Sequence, residues 1–99
     1  MAKSVGKKSA SYTLQDAEQI DAIVKRIKRA QGQLGAVARM IEEGRSCEEV
    51  VTQISAASKA INSAAFNLIS SSLEECIIAG NKNQDEVTEK LQKLFLTLA

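Results

Sequence analysis

Histidine, proline and tryptophan are all absent from this 99-residue chain. Without histidine, the usual general base, the commonest metal ligand and the side chain that titrates near neutral pH are missing together, which argues for a non-enzyme. Aromatics are scarce as well: Tyr12, Phe66 and Phe95 are the three in the chain, so a core has to come from Ala, Val, Ile and Leu. With five glycines and no proline, the sequence lacks the turn chemistry of a sandwich or barrel, and its long unbroken stretches read as helix. No apolar run reaches transmembrane length and Met1 to Ser11 is too polar for a signal peptide, so the expected compartment is the cytoplasm, with no membrane partner. There, two cysteines are kept reduced by default, which makes them small buried groups or reactive thiols rather than a structural staple.

The formal net charge of +1 is too small for a generic polyanion binder, but it hides an asymmetry. Residues 1–45 hold nine Lys/Arg against five Asp/Glu, a net +4, whereas residues 46–99 hold four against seven, a net −3. Residues 1–12, with Lys3, Lys7 and Lys8 among Ser and Gly, are expected to be a disordered basic tail, and residues 13–99 a single all-helical domain. Thr13 with Asp16 three residues on reads as a capping box. From there Ile20, Ile23, Val24, Ile27, Ala30, Leu34, Val37, Ala38 and Ile41 recur at helical spacing as far as Gly44. At about 100° per residue these side chains share an arc of roughly 140°, with Lys25, Arg26, Lys28, Arg29 and Arg39 on the other side. One face packs and the other is basic.

Ser46-Cys47-Glu48-Glu49 is a second capping box, and with only Arg45 between it and Gly44 the next helix must fold back antiparallel. Val50, Val51, Ile54, Ala57, Ile61, Ala65, Leu68, Ile69 and Cys76 continue one stripe down to Gly80. Ala56, Ala57, Ala60, Ser63, Ala64 and Ala65 would let a neighbouring backbone come close. Asn81 to Gln84 read as a loop, and Asp85 as the cap of a short third helix carrying Val87, Leu91, Leu94, Phe95 and Leu98. The fold class is therefore all-α: a long antiparallel helix hairpin plus a short C-terminal helix. Two helices of roughly 45–50 Å cannot bury their stripes in a lone hairpin, so a helical-bundle homo-oligomer is expected.

Cys47 and Cys76 are 29 residues apart, close to eight helical turns, so both point the same way along the stripe. The same spacing separates them by about 43 Å along one helix, far beyond the reach of about 7 Å between Cα atoms that a disulfide requires. They cannot meet within one chain. If two copies of the second helix pack antiparallel, Cys47 of one comes opposite Cys76 of the other at both ends of the dimer. Two thiolates without histidine fall short of a zinc site, and no metal or other cofactor is expected, although a linear two-thiolate Cu(I) site stays open.

Three segments carry a family likeness: Arg26-Ile-Lys-Arg29-Ala-Gln-Gly32-Gln33-Leu-Gly35, the turn Glu42-Glu43-Gly44-Arg45-Ser46-Cys47, and Val51-Thr-Gln-Ile-Ser55. Together they resemble the copper-sensitive operon repressors (the CsoR/RcnR family) over roughly residues 14–98. The resemblance implies a small all-helical transcriptional repressor, a dimer of dimers, that binds double-stranded operator DNA without a helix-turn-helix. In the copper-sensing branch a histidine lies four residues before the second cysteine, a position that is Ser72 here. The remaining pattern looks like the persulfide-sensing branch, the CsoR-like sulfurtransferase repressors (CstR). That branch implies sulfane-sulfur donors as partners, with interchain di- or polysulfide links between Cys47 and Cys76 that release DNA.

By this resemblance Arg26 is the leading DNA contact, with Lys25, Lys28, Arg29, Gln33 and Lys59 adding phosphate contacts or polar positioning. Relatives often carry an arginine on helix two where this chain has Ser63, so Lys59, one turn earlier, is the expected substitute. Cys47, at a helix N-terminus, is the expected first nucleophile, and Cys76 the resolving thiol. Two other readings stay open: a Cu(I)-responsive repressor or Cu(I)-binding protein, and a structural helical adaptor whose cysteines are merely core.

Overall fold

Gly44 turns the chain back on itself. A computed structural model describes residues 11–80 and 84–98, which form α1 (Ala17–Glu42), α2 (Cys47–Ala79) and α3 (Gln84–Leu98), with no strand among the described residues. Gly44 sits at φ 75°, a left-handed conformation that costs glycine nothing. It lets the Gly44 N–H reach the Ile41 carbonyl at 3.1 Å and the Arg45 N–H reach that of Met40 at 3.0 Å. These are the paired bonds of a Schellman stop, which satisfy carbonyls that the end of α1 would leave open. Gly80 ends α2 in the same conformation, at φ 63°.

At the start of α2 Ser46 is the N-cap as read, and Glu49 answers it through the Ser46 hydroxyl. Ser46 Oγ accepts from the Glu49 N–H at 3.2 Å and donates to Glu49 Oε1 at 3.2 Å, which puts Cys47 at the first helical position. The start of α1 differs from the sequence reading. Asp16, not Thr13, is the N-cap, its carboxylate accepting from the N–H groups of Glu18 at 2.9 Å and Gln19 at 3.4 Å. Thr13 lies outside the helix, where its carbonyl accepts from the Gln15 side chain. In α3 the helix already includes Gln84, so Asp85 belongs to its acidic first turn rather than capping it. A carboxylate there still complements the helix dipole. Residues 1–10 of the expected tail and Asn81 to Asn83 of the expected loop lie outside the described residues. Tyr12, the last residue of the expected tail, is half-buried against Cys76 of α2 and Val87 of α3.

The packing face is narrower than the sequence stripe. On α1 the buried residues are Ile23, Ala30 and Val37, and on the first half of α2 they are Val50, Ala57 and Ala64. Both sets recur every seven residues, the spacing of a two-helix seam. Ile23 packs on Ala64 together with Leu14, so antiparallel pairing sets Ala30 opposite Ala57 and Val37 opposite Val50. Ala30 and Ala57 are 1% and 0% exposed, so small side chains fix the closest approach of the hairpin. The expected outcome of Ala57→Leu is therefore overpacking: a loss of about 1–3 kcal/mol, read as a lower urea midpoint with helix content retained below the transition.

The rest of the stripe stays open. Ile20, Val24, Ile27, Leu34 and Ile41 of α1 and Val51, Ile54, Ile61 and Leu68 of α2 are all at least 38% exposed. Farther along α2, Ile69, Ser72 and Cys76 turn inward. There α3 covers the helix, with Val87 buried on Cys76 and Phe95 stacked at a tilt on Phe66, ring centroids 4.8 Å apart. The molecule is a rod, 54 × 29 × 25 Å.

Candidate nucleic-acid interface and thiol pair

A cationic groove runs between the two long helices. Ala22, Lys25, Arg26 and Arg29 line it from α1, and Ala60 and Ser63 from α2, around a volume of about 520 Å³. The α1 residues follow the i, i+3, i+4, i+7 spacing that keeps side chains on one helical face. Arg26 lies about 60° from Ile23 and about 40° from Ala30 around the helix, so it flanks the seam instead of opposing it. From there its guanidinium donates to Ser63 Oγ at 3.0 Å. Lys25 pairs with Asp21 at 3.0 Å, an exposed i, i+4 contact that a stronger anion would displace.

The other basic residues singled out in the sequence are placed differently. Lys28 and Lys59 are exposed but do not line the groove. Gln33, one heptad beyond Arg26, is half-buried, and its side-chain carbonyl oxygen is buried with no hydrogen-bond partner. Ser63, a departure by sequence, thus becomes the α2 partner of the leading arginine. The stretch of small residues from Ala56 to Ala65 was the available signal, since only a small α2 side chain leaves room for an arginine to cross the seam.

The two thiols occupy opposite ends of α2 and opposite environments. Cys47 is exposed at the first position of α2, beside the turn that closes the hairpin. Beside it Arg45 and Glu49 pair at 2.6 Å, and that contact first, with the Ser46 hydroxyl second, holds the Glu49 carboxyl below its ordinary range. Cys76 is fully buried, against Val87 with Tyr12 and Leu91 around it. The fold does not bring the two thiols together within a chain. Ser72, one turn before Cys76, is also buried. Among the described residues no group of three or more His, Cys, Asp or Glu is arranged to hold a metal ion.

Sequence reasoning missed Glu75. Its carboxylate accepts from the Tyr12 hydroxyl at 2.9 Å and from the Gln15 and Asp16 N–H groups, each at 2.8 Å. The Gln15 N–H is the largest of the effects that hold this carboxyl below the usual range, joined by those of Asp16 and Tyr12. Burial, and then the neighbouring carboxylate, push the Tyr12 phenol above its own. No local pattern signals this contact, because its partners are about 60 residues apart in sequence.

A hairpin of two long helices with a cationic groove between them and a thiol at each end of the second helix defines a small all-α protein equipped for binding. The metal-sensitive transcriptional repressor family matches residues 19–97, and the chain belongs to that family, one of repressors and not of enzymes. It is 45% identical over 60 residues to the copper-sensing transcriptional repressor RicR of Mycobacterium tuberculosis, covering 61% of this chain and 62% of RicR. It is 32% identical over 65 residues to the copper-sensing transcriptional repressor CsoR of Bacillus subtilis, covering 66% and 64% of the two chains. Both matches span less than two thirds of the relative's length. A shorter match, 45% over 38 residues, covers 38% of this chain and 60% of the Bacillus subtilis protein YrkD. No solved structure matched. These relatives carry the family expectation, and they do not carry the persulfide-sensing branch. Among the described residues no helix is long and apolar enough to cross a membrane.

Proposed function

We propose that this chain is an operator-binding repressor whose DNA affinity is set by the state of the Cys47 and Cys76 thiols of two paired copies, with Cu(I) as the effector. The observation that carries this reading is the presence of one thiol at each end of α2 in a chain whose relatives RicR and CsoR are copper-sensing repressors. A second copy, covering the exposed Ile20, Val24, Ile54, Ile61 and Leu68 faces, would bring the two kinds of thiol together in a dimer, and dimers would pair again. Two soft thiolates suit Cu(I) in linear coordination, whereas zinc requires two further ligands. Arg26, Lys25 and Arg29 would meet phosphates in the groove. Lys28 and Lys59 would reach flanking ones, and Gln33 would offer polar positioning.

A second reading has its own support, because the chain has no histidine and Ser72 stands buried one turn before Cys76. In it a persulfide is the effector. The Cys47 thiolate takes its sulfane sulfur and expels a thiolate, and the partner's Cys76 thiolate then attacks Cys47 Sγ and expels hydrosulfide, leaving a disulfide.

One titration separates the two readings. A duplex selected from a random library by the reduced protein is labelled, and its anisotropy is followed as buffered Cu(I) or a persulfide donor is added. Stoichiometric release by Cu(I), lost in Cys47→Ser and in Cys76→Ser, is the expected result. Release by the persulfide donor alone would transfer the assignment to the second reading. Failure of both would overturn the thiol-sensing proposal.

A further inference from the structure

Asp16 caps α1 without completing its capping box. The residue three positions on is Gln19, whose side-chain oxygen accepts instead from Ser71 Oγ at 3.3 Å. The Asp16 N–H, which a local Glu or Gln would ordinarily satisfy, is taken by Glu75 of α2. The same carboxylate holds the Gln15 N–H and the Tyr12 hydroxyl, so both its oxygens are engaged by residues 12–16. Residues 12–16 thus form a strap whose bonds to α2 converge on Glu75, one residue before Cys76, with Leu14 packed on Ile23 and Ala64 beneath it.

Under that strap Cys76 has no exposed surface. Tyr12 and Leu91 pack around the Cys76–Val87 contact, so a ligand or a second thiol approaching Cys76 Sγ has to displace either Tyr12 or α3. Displacing Tyr12 removes one of the bonds to Glu75 and loosens the hold on the Gln15 and Asp16 N–H groups. Those groups lead directly into the first turns of α1, and Arg26 follows Asp16 by ten residues, under three turns. Glu75 therefore touches the covering of the thiol and the anchor of the groove-bearing helix at once.

We propose that Glu75 is a positioning residue that couples access to Cys76 to the placement of α1. The strap is closed when Cys76 is free, and engagement of Cys76 releases the N-terminus of α1 through this one carboxylate. This inference rests on the thiol and DNA roles proposed above for its output, but the strap itself is testable without either.

The variants are Glu75→Gln, which removes the charge and one acceptor oxygen, and Tyr12→Phe, which removes a single hydroxyl and serves if the first fails to fold. Circular dichroism checks the fold. Alkylation of the native full chain by iodoacetamide, read at Cys76 by peptide-resolved mass spectrometry, is expected to be at least about tenfold faster in Glu75→Gln and intermediate in Tyr12→Phe. Rates within twofold of the natural chain in folded variants would overturn the strap. In the same proteins, anisotropy is expected to give weaker duplex binding without effector and a smaller further loss when Cu(I) or a persulfide donor is added. Faster alkylation with an undiminished response to effector would overturn the coupling. A duplex affinity indifferent to Arg26→Glu as well would mark the DNA reading as the failure, and the alkylation rates would still decide the strap.

Discussion

Reversing the charge at Arg26 is expected to weaken duplex binding about 100-fold at moderate salt, equivalent to about 2.7 kcal/mol. Three effects combine in Arg26→Glu. A charge-assisted contact to phosphate is lost, the new carboxylate repels the phosphate it faces, and the Ser63 hydroxyl loses its guanidinium donor. Arg26→Ala isolates the first of these and should lower the slope of log affinity against log salt by about one. Ser63→Ala keeps the charge and frees the guanidinium, so it should cost severalfold in affinity with little change in slope. If Arg26→Glu binds the selected duplex as tightly as the natural chain, the groove is not the DNA face. Lys28 and Lys59, on the exposed backs of the two helices, would then be the residues to reverse.

The elements were legible in the sequence because they rest on local chemistry. Ser46 and Glu49 satisfy each other within one turn, and Gly44 and Gly80 supply the left-handed conformations that end α1 and α2. What the sequence did not reveal depends on distant partners. The expected Thr13 cap fails because the Asp16 N–H is satisfied across the hairpin by Glu75, which frees Asp16 to be the cap itself. How the stripe divides between the hairpin and other partners was hidden for a related reason. An apolar stripe records every surface a helix presents to some partner, but the hairpin buries only its seven-residue seam and leaves Ile20, Leu34 and Ile54 outside. Arg26 was read as opposite the packing face, although its position three residues after Ile23 puts it at the seam's edge. Only the small Ser63 across the seam makes that position a polar one.

Sulfane-sulfur donors, or diamide as a simple thiol oxidant, are expected to convert the reduced protein to covalent dimers joined from Cys47 to the partner's Cys76, with no intrachain bridge. The helix between the two thiols is continuous from Cys47 to Ala79. Its rise sets the two sites about 43 Å apart, against the reach of about 7 Å between Cα atoms that a bridge tolerates. Order of reaction follows from placement: Cys47 is exposed at a helix N-terminus, while Cys76 is closed beneath Tyr12 and Val87. Cys76→Ser should therefore carry added sulfur on Cys47 without forming dimers, and Cys47→Ser should be nearly inert until the strap is opened. Adding Glu75→Gln to Cys47→Ser should restore modification at Cys76, because the barrier there is access. Non-reducing electrophoresis with peptide mapping reads all of these outcomes. A mapped Cys47–Cys76 bridge within one chain would mean that α2 breaks in solution. Rapid modification of Cys76 in Cys47→Ser alone would mean that residues 12–16 do not close over it.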